Sequence, residues 1–175
     1  MHAAAPLMPI TMSHCRRLAS PLGELTLCAD GDRLCAVLWP EQASTFQANA
    51  FEVPQGIPHG VLDSAADQLT AYFQGDRQDF SLPLAPCGTA FQQSVWSILQ
   101  KIPFGETVSY GELAERMGRP QAARAVGRGV GSNLLAIVIP CHRVVGKNGQ
   151  LTGFAGGLER KRRLLALESS NPLGV

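Results

Sequence analysis

Cys141 is the residue through which this sequence most openly offers chemistry. It follows the apolar run 134–139 and Pro140, and it is followed at once by His142 and Arg143. A free thiol has a pKa of about 8.5, so only a few per cent is thiolate near neutral pH. A cysteine nucleophile therefore needs a base or a positive charge beside it, and His142 and Arg143 are one of each. Adjacent side chains on an extended segment point to opposite faces. His142 would then reach the thiol through a water or a bend in the backbone. For a Cys-His pair taken alone, a structural cysteine beside a surface histidine is the commoner case.

Glu168 shifts that balance. Leu158, Lys161, Leu165 and Glu168 recur at helical spacing, which puts a lysine and a glutamate on the face that carries core leucines. Charges on such a face need partners. His142 is one candidate for Glu168, giving a Cys–His–Glu relay. A Lys161–Glu168 pair, or a solvated helix end, explains the spacing equally well. A second group is Arg124 and Arg128, set among Ala122, Ala123, Ala125, Gly127 and Gly129. Small residues let a helix backbone press close to a surface, as the narrow minor groove of DNA would require. Close helix packing inside a core accounts for the same residues.

These groups need elements to hold them. Residues 25–28 and 34–38 read as hairpin strands, 54–58 as a loop, and 61–74 as a helix with Asp63 or Ser64 near its cap and Gly75 as its stop. Thr89 and Gln92 fit a capping box, and Phe91, Val95, Ile98, Leu99 and Ile102 repeat at helical spacing behind it. Ser109 and Glu112 form a second box, opening a short helix through Met117. Gly118-Arg119 is the turn, and Pro120 suits the first position of the next helix, 121–131. Helix, glycine turn and helix make a helix-turn-helix pattern. Residues 134–139 are expected to be extended, 147–149 to turn, and 158–168 to form the last helix. The implied organisation is a loose leader at 1–13, an α+β domain at 14–82, a linker at 83–88 and a mostly helical domain at 89–175.

Bulk properties narrow the function classes. The chain has 175 residues, 45% of them hydrophobic and 17% charged, the composition of an ordinary soluble globular protein. No apolar run approaches the roughly 20 residues of a membrane span. The N-terminus carries no basic cluster ahead of its apolar residues and does not read as a secretory signal. The five cysteines are odd in number and match no zinc-ribbon spacing, so free thiols in a reducing cytoplasm are expected. The net charge of +1 hides an asymmetry: residues 1–87 hold 4 basic and 9 acidic side chains, residues 88–175 hold 11 and 5. The C-terminal half has a polyanion-binding balance, although the halves could also neutralise each other across an interface.

The stretch Ile139-Pro140-Cys141-His142-Arg143-Val144-Val145-Gly146 resembles the active-site motif of the O6-alkylguanine-DNA alkyltransferases. Further blocks follow in family order: Phe91 to Trp96, Ile102 to Thr107, Ser109 to Ala114, Ala122 to Gly127, and Leu151 to Gly157. Ser20-Pro21-Leu22-Gly23 and Ala71-Tyr72-Phe73 are similar to the family's N-terminal domain, so the resemblance covers nearly all of 18–168. It implies a ribonuclease-H-like N-terminal domain and a C-terminal domain with a winged-helix-like helix-turn-helix. It implies repair of O6-alkylguanine, with O4-alkylthymine as a further candidate, by irreversible transfer of one alkyl group to Cys141.

The resemblance also assigns roles. His142 is the base acting through a water, Glu168 orients it, Tyr110 hydrogen-bonds the damaged base, and Asn133 braces the turn before the active-site segment. Arg124 fills the gap left by a flipped nucleotide. Arg128, Ala123, Gly127, Gly129 and Ser109 would lie against DNA, and Val144, Phe154, Ala155, Gly156 and Lys161 would form the substrate pocket. The implied partner is double-stranded alkylated DNA, approached through its minor groove by a monomer that can self-associate cooperatively on DNA. No cofactor, no metal, no membrane and a cytoplasmic location are expected. Leu134 and Phe154 depart from the proline and tyrosine usual in the family.

Overall fold

The computed structural model describes residues 12–48, 54 and 57–170. Most of the expected leader, and part of the expected loop at 54–58, lie outside the described residues. The N-terminal half builds a three-stranded antiparallel sheet in the order β1-β2-β3, from His14–Leu18, Leu25–Asp30 and Arg33–Leu38. The two hairpin strands expected from sequence are there, each longer than read. β1 is the strand the sequence did not announce, because its half-polar HCRRL lacks an apolar alternation. A short helix α1, Pro40–Thr45, follows β3. Trp39 caps it: its backbone N–H donates to the Gln42 side chain, and Pro40 takes the first helical position.

Helix α2, Gly60–Gln74, packs across the sheet. Leu62, Ala65, Leu69 and Tyr72 recur at helical spacing and are buried against Leu25, Leu27, Leu34 and Val37. Its cap is His59. Asp63 stands in the first turn and accepts from the His59 backbone N–H at 2.8 Å, near the cap as the sequence suggests. Gly75 ends the helix with φ +83°, a left-handed position that glycine adopts without a side-chain clash.

The antiparallel register sets Cys15 directly opposite Cys28, and the two form a disulfide. The expectation of five free thiols is corrected here. With β1 unread there was no register from which to see the pair. Cys35, Cys87 and Cys141 stand outside that disulfide.

The outer edge of β3 is covered by two later segments. The linker pairs with it through Leu34 N–H to Pro83 C=O and Ala85 N–H to Leu34 C=O, both 2.8 Å. Further along, Val37 bridges Leu135, with Val37 N–H donating to the Leu134 carbonyl at 2.7 Å. An exposed strand edge invites foreign pairing, and this one instead ties the N-terminal sheet to the segment that leads to Cys141.

Both expected capping boxes are present. Thr89 opens α3, Ala90–Leu99, and Ser109 opens α4, Tyr110–Arg116. The next helix is shorter than its sequence suggests. Pro120 begins a single 3-10 turn, Pro120–Ala122, and α5 proper is Ala123–Gly131. α5 crosses α3 closely, because a Cβ on Gly129 would meet Val95 Cγ2 at 2.9 Å. The Trp96 indole N–H donates to the Gly129 carbonyl at 2.9 Å across the same contact. Two short parallel strands, β4 (Val108–Ser109) and β5 (Val144–Val145), bring the start of α4 beside the residues after Cys141. The last helix, α6, is Leu158–Ser170. The fold is thus a mixed α/β one, with a small sheet domain followed by a mostly helical domain.

The run 134–139 is not extended, against expectation. After the single bridge at Leu135 it folds into tight turns, with Val138 N–H on the Ala136 carbonyl and Ile139 N–H on that of Leu135. Ile137 takes φ +70°, where a β-branched side chain is strained. Periodicity cannot separate a buried strand from a buried coil of turns when every residue is apolar.

Candidate active site

Cys141, His142 and Arg143 form one 3-10 turn between Pro140 and β5, and all three are buried. The turn is the backbone bend that an extended segment would have lacked. Asn133, just past α5, fixes what precedes it. Its Oδ1 accepts from Leu135 N–H at 2.9 Å, and its Nδ2 donates to the Ile139 carbonyl at 2.9 Å and to Cys141 Sγ at 3.2 Å. One buried amide therefore holds the 133–141 turn and touches the sulfur. Around Leu134 the segment is held by Asn133 on one side and by the bond from Val37 N–H to the Leu134 carbonyl on the other.

His142 has no exposed surface and lies 2.7 Å from Glu168 through Nε2 and Oε1. The carboxylate also takes Tyr72 Oη at 2.8 Å, Arg143 Nε at 2.9 Å, Arg143 Nη2 at 3.0 Å and Gly105 N–H at 3.3 Å. Burial raises the Glu168 pKa, but the hydrogen bonds and positive charge from His142 and Arg143 outweigh it and hold the carboxyl at about 2. Burial pulls His142 below its ordinary value, with Glu168 opposing, which favours the neutral ring. An ionised Glu168 accepts from Nε2–H, so the lone pair of neutral His142 sits on Nδ1. That atom is buried and has no hydrogen-bond partner among the described residues.

Burial also pushes the Cys141 thiol up, against the pull of the Asn133 hydrogen bond and the Lys161 charge. The resting state is therefore the thiol, and a proton must leave before it can attack. The sequence offered Arg143 as a charge beside Cys141. The structure commits it to Glu168 and to the Ile102 carbonyl at 2.6 Å. Lys161 is the cation near the sulfur. It is fully buried and donates to the Val144 carbonyl at 2.6 Å and the Thr152 carbonyl at 2.9 Å. Those bonds answer the question of the last helix: Lys161 and Glu168 have separate partners and do not pair.

The remaining candidates fall in two groups. Tyr110 is the first residue of α4. It lies half-buried between α5 and the 152–157 loop, its ring 3.5 Å from where a Gly127 Cβ would stand and its hydroxyl 3.5 Å from the Thr152 carbonyl. Val144 is buried, Phe154 half-buried, Ala155 exposed and Gly156 buried, all on the segment that Lys161 ties together. On α5, Arg124 and Arg128 are exposed one turn apart and Ala123 and Gly127 are half-buried, as is Ser109 at the cap of α4. Gly129 belongs elsewhere. It is buried against Val95, so its place on the expected DNA face is corrected to helix packing. The helix-packing reading of the small residues thus holds on the side of α5 that meets Val95, and Arg124 and Arg128 are exposed.

Sequence reasoning missed Tyr72 and Arg143 as ligands of Glu168. Tyr72 lies ninety-six positions away, and no local pattern links the two. Arg143 was visible as a charge, but its direction depends on a turn that the apolar run concealed.

Two family models match the chain. The 6-O-methylguanine DNA methyltransferase ribonuclease-like domain matches residues 14–86, and the DNA-binding domain of the same description matches 90–170. A methylated-DNA–protein-cysteine methyltransferase of Mycobacterium leprae is 46% identical over 163 residues, covering 93% of this chain and 96% of its own. The crystal structure of Mycobacterium tuberculosis OGT in complex with DNA is similar at 47% identity and TM-score 0.81, covering 90% of this chain and 94% of that one. The crystal structure of the M. tuberculosis O6-methylguanine methyltransferase is similar at 44% identity and TM-score 0.79, with 92% and 96% covered.

Proposed function

Because this chain belongs to the 6-O-methylguanine DNA methyltransferase family and repairs alkylated DNA by direct transfer of the alkyl group to a cysteine of its own, we propose that Cys141 is the acceptor, His142 its base and Glu168 the group that orients that base. The observation that carries this is the buried Glu168–His142 contact, which leaves the imidazole lone pair on an unpartnered Nδ1 one residue from the thiol. The thiol proton passes through one water to Nδ1, and Glu168 stabilises the imidazolium. The thiolate attacks the alkyl carbon in line. The C–S bond forms as the C–O bond breaks, and the electron pair goes to guanine O6. Tyr110 hydrogen-bonds the departing base, and the imidazolium returns the proton that makes the base neutral guanine. The thioether left on Cys141 has no leaving group, so each chain acts once.

The substrate is double-stranded DNA carrying O6-alkylguanine, with O4-alkylthymine as a further candidate. A base inside the stack is out of reach of a buried thiol, so the nucleotide must be flipped out. α5 enters the minor groove, where Arg128, Ala123, Gly127 and Ser109 contact the duplex and Arg124 takes the place of the extruded nucleotide. Backbone at Val144 and Ala155 reads the guanine edge, Phe154 and Gly156 wall the pocket, and Lys161 holds the two sides together. The working division is a ribonuclease-H-like domain at 14–82, a linker at 83–88 and a domain at 89–175 with a winged-helix-like helix-turn-helix. The protein works as a monomer in the cytoplasm, with self-association confined to DNA. Among the described residues no helix is long and apolar enough to cross a membrane.

Duplex DNA bearing labelled O6-methylguanine tests the reading. Label is expected on the peptide that contains Cys141, reaching a plateau near one equivalent per chain. Product release that continues past one equivalent would overturn the single-use mechanism. Tight binding without transfer would make the protein a damage-binding module instead. Arg124→Ala is expected to slow duplex repair by about tenfold or more, as loss of about 1.4 kcal/mol or more of help in opening the stack requires. Its reaction with free O6-benzylguanine should change far less, and equal slowing of both would remove Arg124 from the flipping step.

A further inference from the structure

The 152–157 loop has no regular secondary structure, and part of its support comes from the N-terminal half of the chain. Trp39, between β3 and α1, is fully buried. Its ring meets Phe154 edge-on, with centroids 6.2 Å apart and planes at 66°. Gly156 lies directly against the indole: a Cβ there would stand 2.5 Å from Trp39 Nε1 and 2.8 Å from Phe154 Cε1. Arg160, at the start of α6, closes the other side. Its guanidinium sits 4.9 Å over the Trp39 ring and donates to the Gly156 carbonyl at 3.0 Å and the Leu22 carbonyl at 3.0 Å. Glu41 of α1 completes the clamp at 3.1 Å from Arg160.

The Trp39 indole N–H has no acceptor among the described residues. A buried donor left unpaired is destabilising. What the residue supplies at this point is its shape, a flat aromatic edge against which Phe154 and Gly156 pack.

We propose that Trp39, with Arg160 as its clamp, is a positioning residue that sets the size of adduct the site accepts, acting through Phe154 and Gly156. This rests on reading the 152–157 loop as a wall of the adduct pocket. With Trp39 in place the wall is fixed close to the sulfur and suits a small alkyl group. Without it, Phe154 and Gly156 lose their backing and the pocket widens. A methyl group is then held less well in line, and a benzyl group gains room.

The test is the ratio of single-turnover transfer rates from duplexes carrying O6-benzylguanine and O6-methylguanine. Trp39→Ala is expected to raise the benzyl-to-methyl ratio about tenfold, the lower end of what one small change in an apolar pocket achieves. Trp39→Phe keeps an aromatic edge and should hold the ratio within about twofold of native. If Trp39→Ala does not fold, Arg160→Gln carries the same test, with a rise of about threefold expected. An unchanged ratio in a folded Trp39→Ala or Arg160→Gln chain, even with both rates lowered, overturns the proposal, because a merely structural role slows both adducts alike. Phe154→Ala separates the underlying reading: if it leaves the ratio unchanged, the loop is not the pocket wall, whatever Trp39 does.

Discussion

Glu168→Gln is expected to slow alkyl transfer by about 10²- to 10⁴-fold and to destabilise the fold by about 3–5 kcal/mol. The carboxylate serves five donors: the Tyr72 hydroxyl, His142 Nε2, two nitrogens of Arg143 and the Gly105 N–H. Glutamine keeps the shape but replaces one acceptor oxygen with a donor. An N–H then faces either Arg143 or His142. In either orientation the buried guanidinium loses its counter-charge, because Arg143 bonds to both oxygens. Facing His142, the N–H makes Nε2 the acceptor and moves the ring proton to Nδ1, the atom that must take the proton from the thiol.

The same residue makes the loss depend on pH. The folded Glu168 pKa lies at about 2, well below its ordinary 4.5. A carboxyl with a depressed folded pKa stabilises the fold above its unfolded value, and that contribution is lost as pH falls toward the folded one. The shift corresponds to roughly 3 kcal/mol, in line with the range expected for breaking a buried pair. Urea unfolding of native and Glu168→Gln chains should therefore differ most at pH 7, and the difference should shrink between about pH 4.5 and 2. Burial depresses His142 and Glu168 opposes that, so loss of the carboxylate lowers His142 further and keeps the ring neutral to lower pH in the variant. A transfer rate within threefold of native, or a stability difference that ignores pH, would contradict this account.

Much of this arrangement was legible in the sequence alone. The capping boxes at Thr89 and Ser109, the stop at Gly75 and the hairpin at 25–38 follow from local backbone chemistry, and local chemistry is what a sequence displays. The Cys141–His142–Glu168 set was visible as residue types on plausible elements. Its partners were less so. Tyr72 reaches Glu168 from the other half of the chain, and β1 and its disulfide needed a register to become visible. The apolar run 134–139 hid a strained turn, because uniform hydrophobicity carries no period. Gly129 shows the converse limit. Its small size was read correctly, but glycine serves a close helix contact and a close DNA contact equally, and only the position of Val95 separates them.

The missed contacts share one consequence. Tyr72 from α2 binds the carboxylate, Val37 from β3 pairs with the segment carrying Asn133, and Trp39 backs the 152–157 loop. None of these residues lies in the half of the chain with the cysteine. The N-terminal sheet is therefore a scaffold for the reactive turn, and substitutions on its inner surface should be felt in the chemistry as well as in stability.

Cys141→Ala is expected to abolish transfer entirely while leaving binding to alkylated duplex DNA intact, a larger effect on activity than any change to the relay. The demanding part is that no other thiol takes over. Cys35 is the nearest test of that claim, since it and Cys87 line the same small cavity as Asn133. Burial, with Asp30 and Cys87 adding to it, raises the Cys35 thiol to about 11, and its S–H is turned to the Cys28 carbonyl at 3.3 Å. Among the described residues no histidine acts on it, so its thiolate is scarce at neutral pH. Cys141 is also raised by burial, yet it alone combines the Asn133 hydrogen bond, the Lys161 charge and an imidazole held by Glu168. Mass spectrometry of the Cys141→Ala chain after incubation with labelled duplex should find no alkylated cysteine. Label on Cys35 or Cys87 would mean that proximity to the DNA-bound adduct, and not the relay, decides which sulfur reacts.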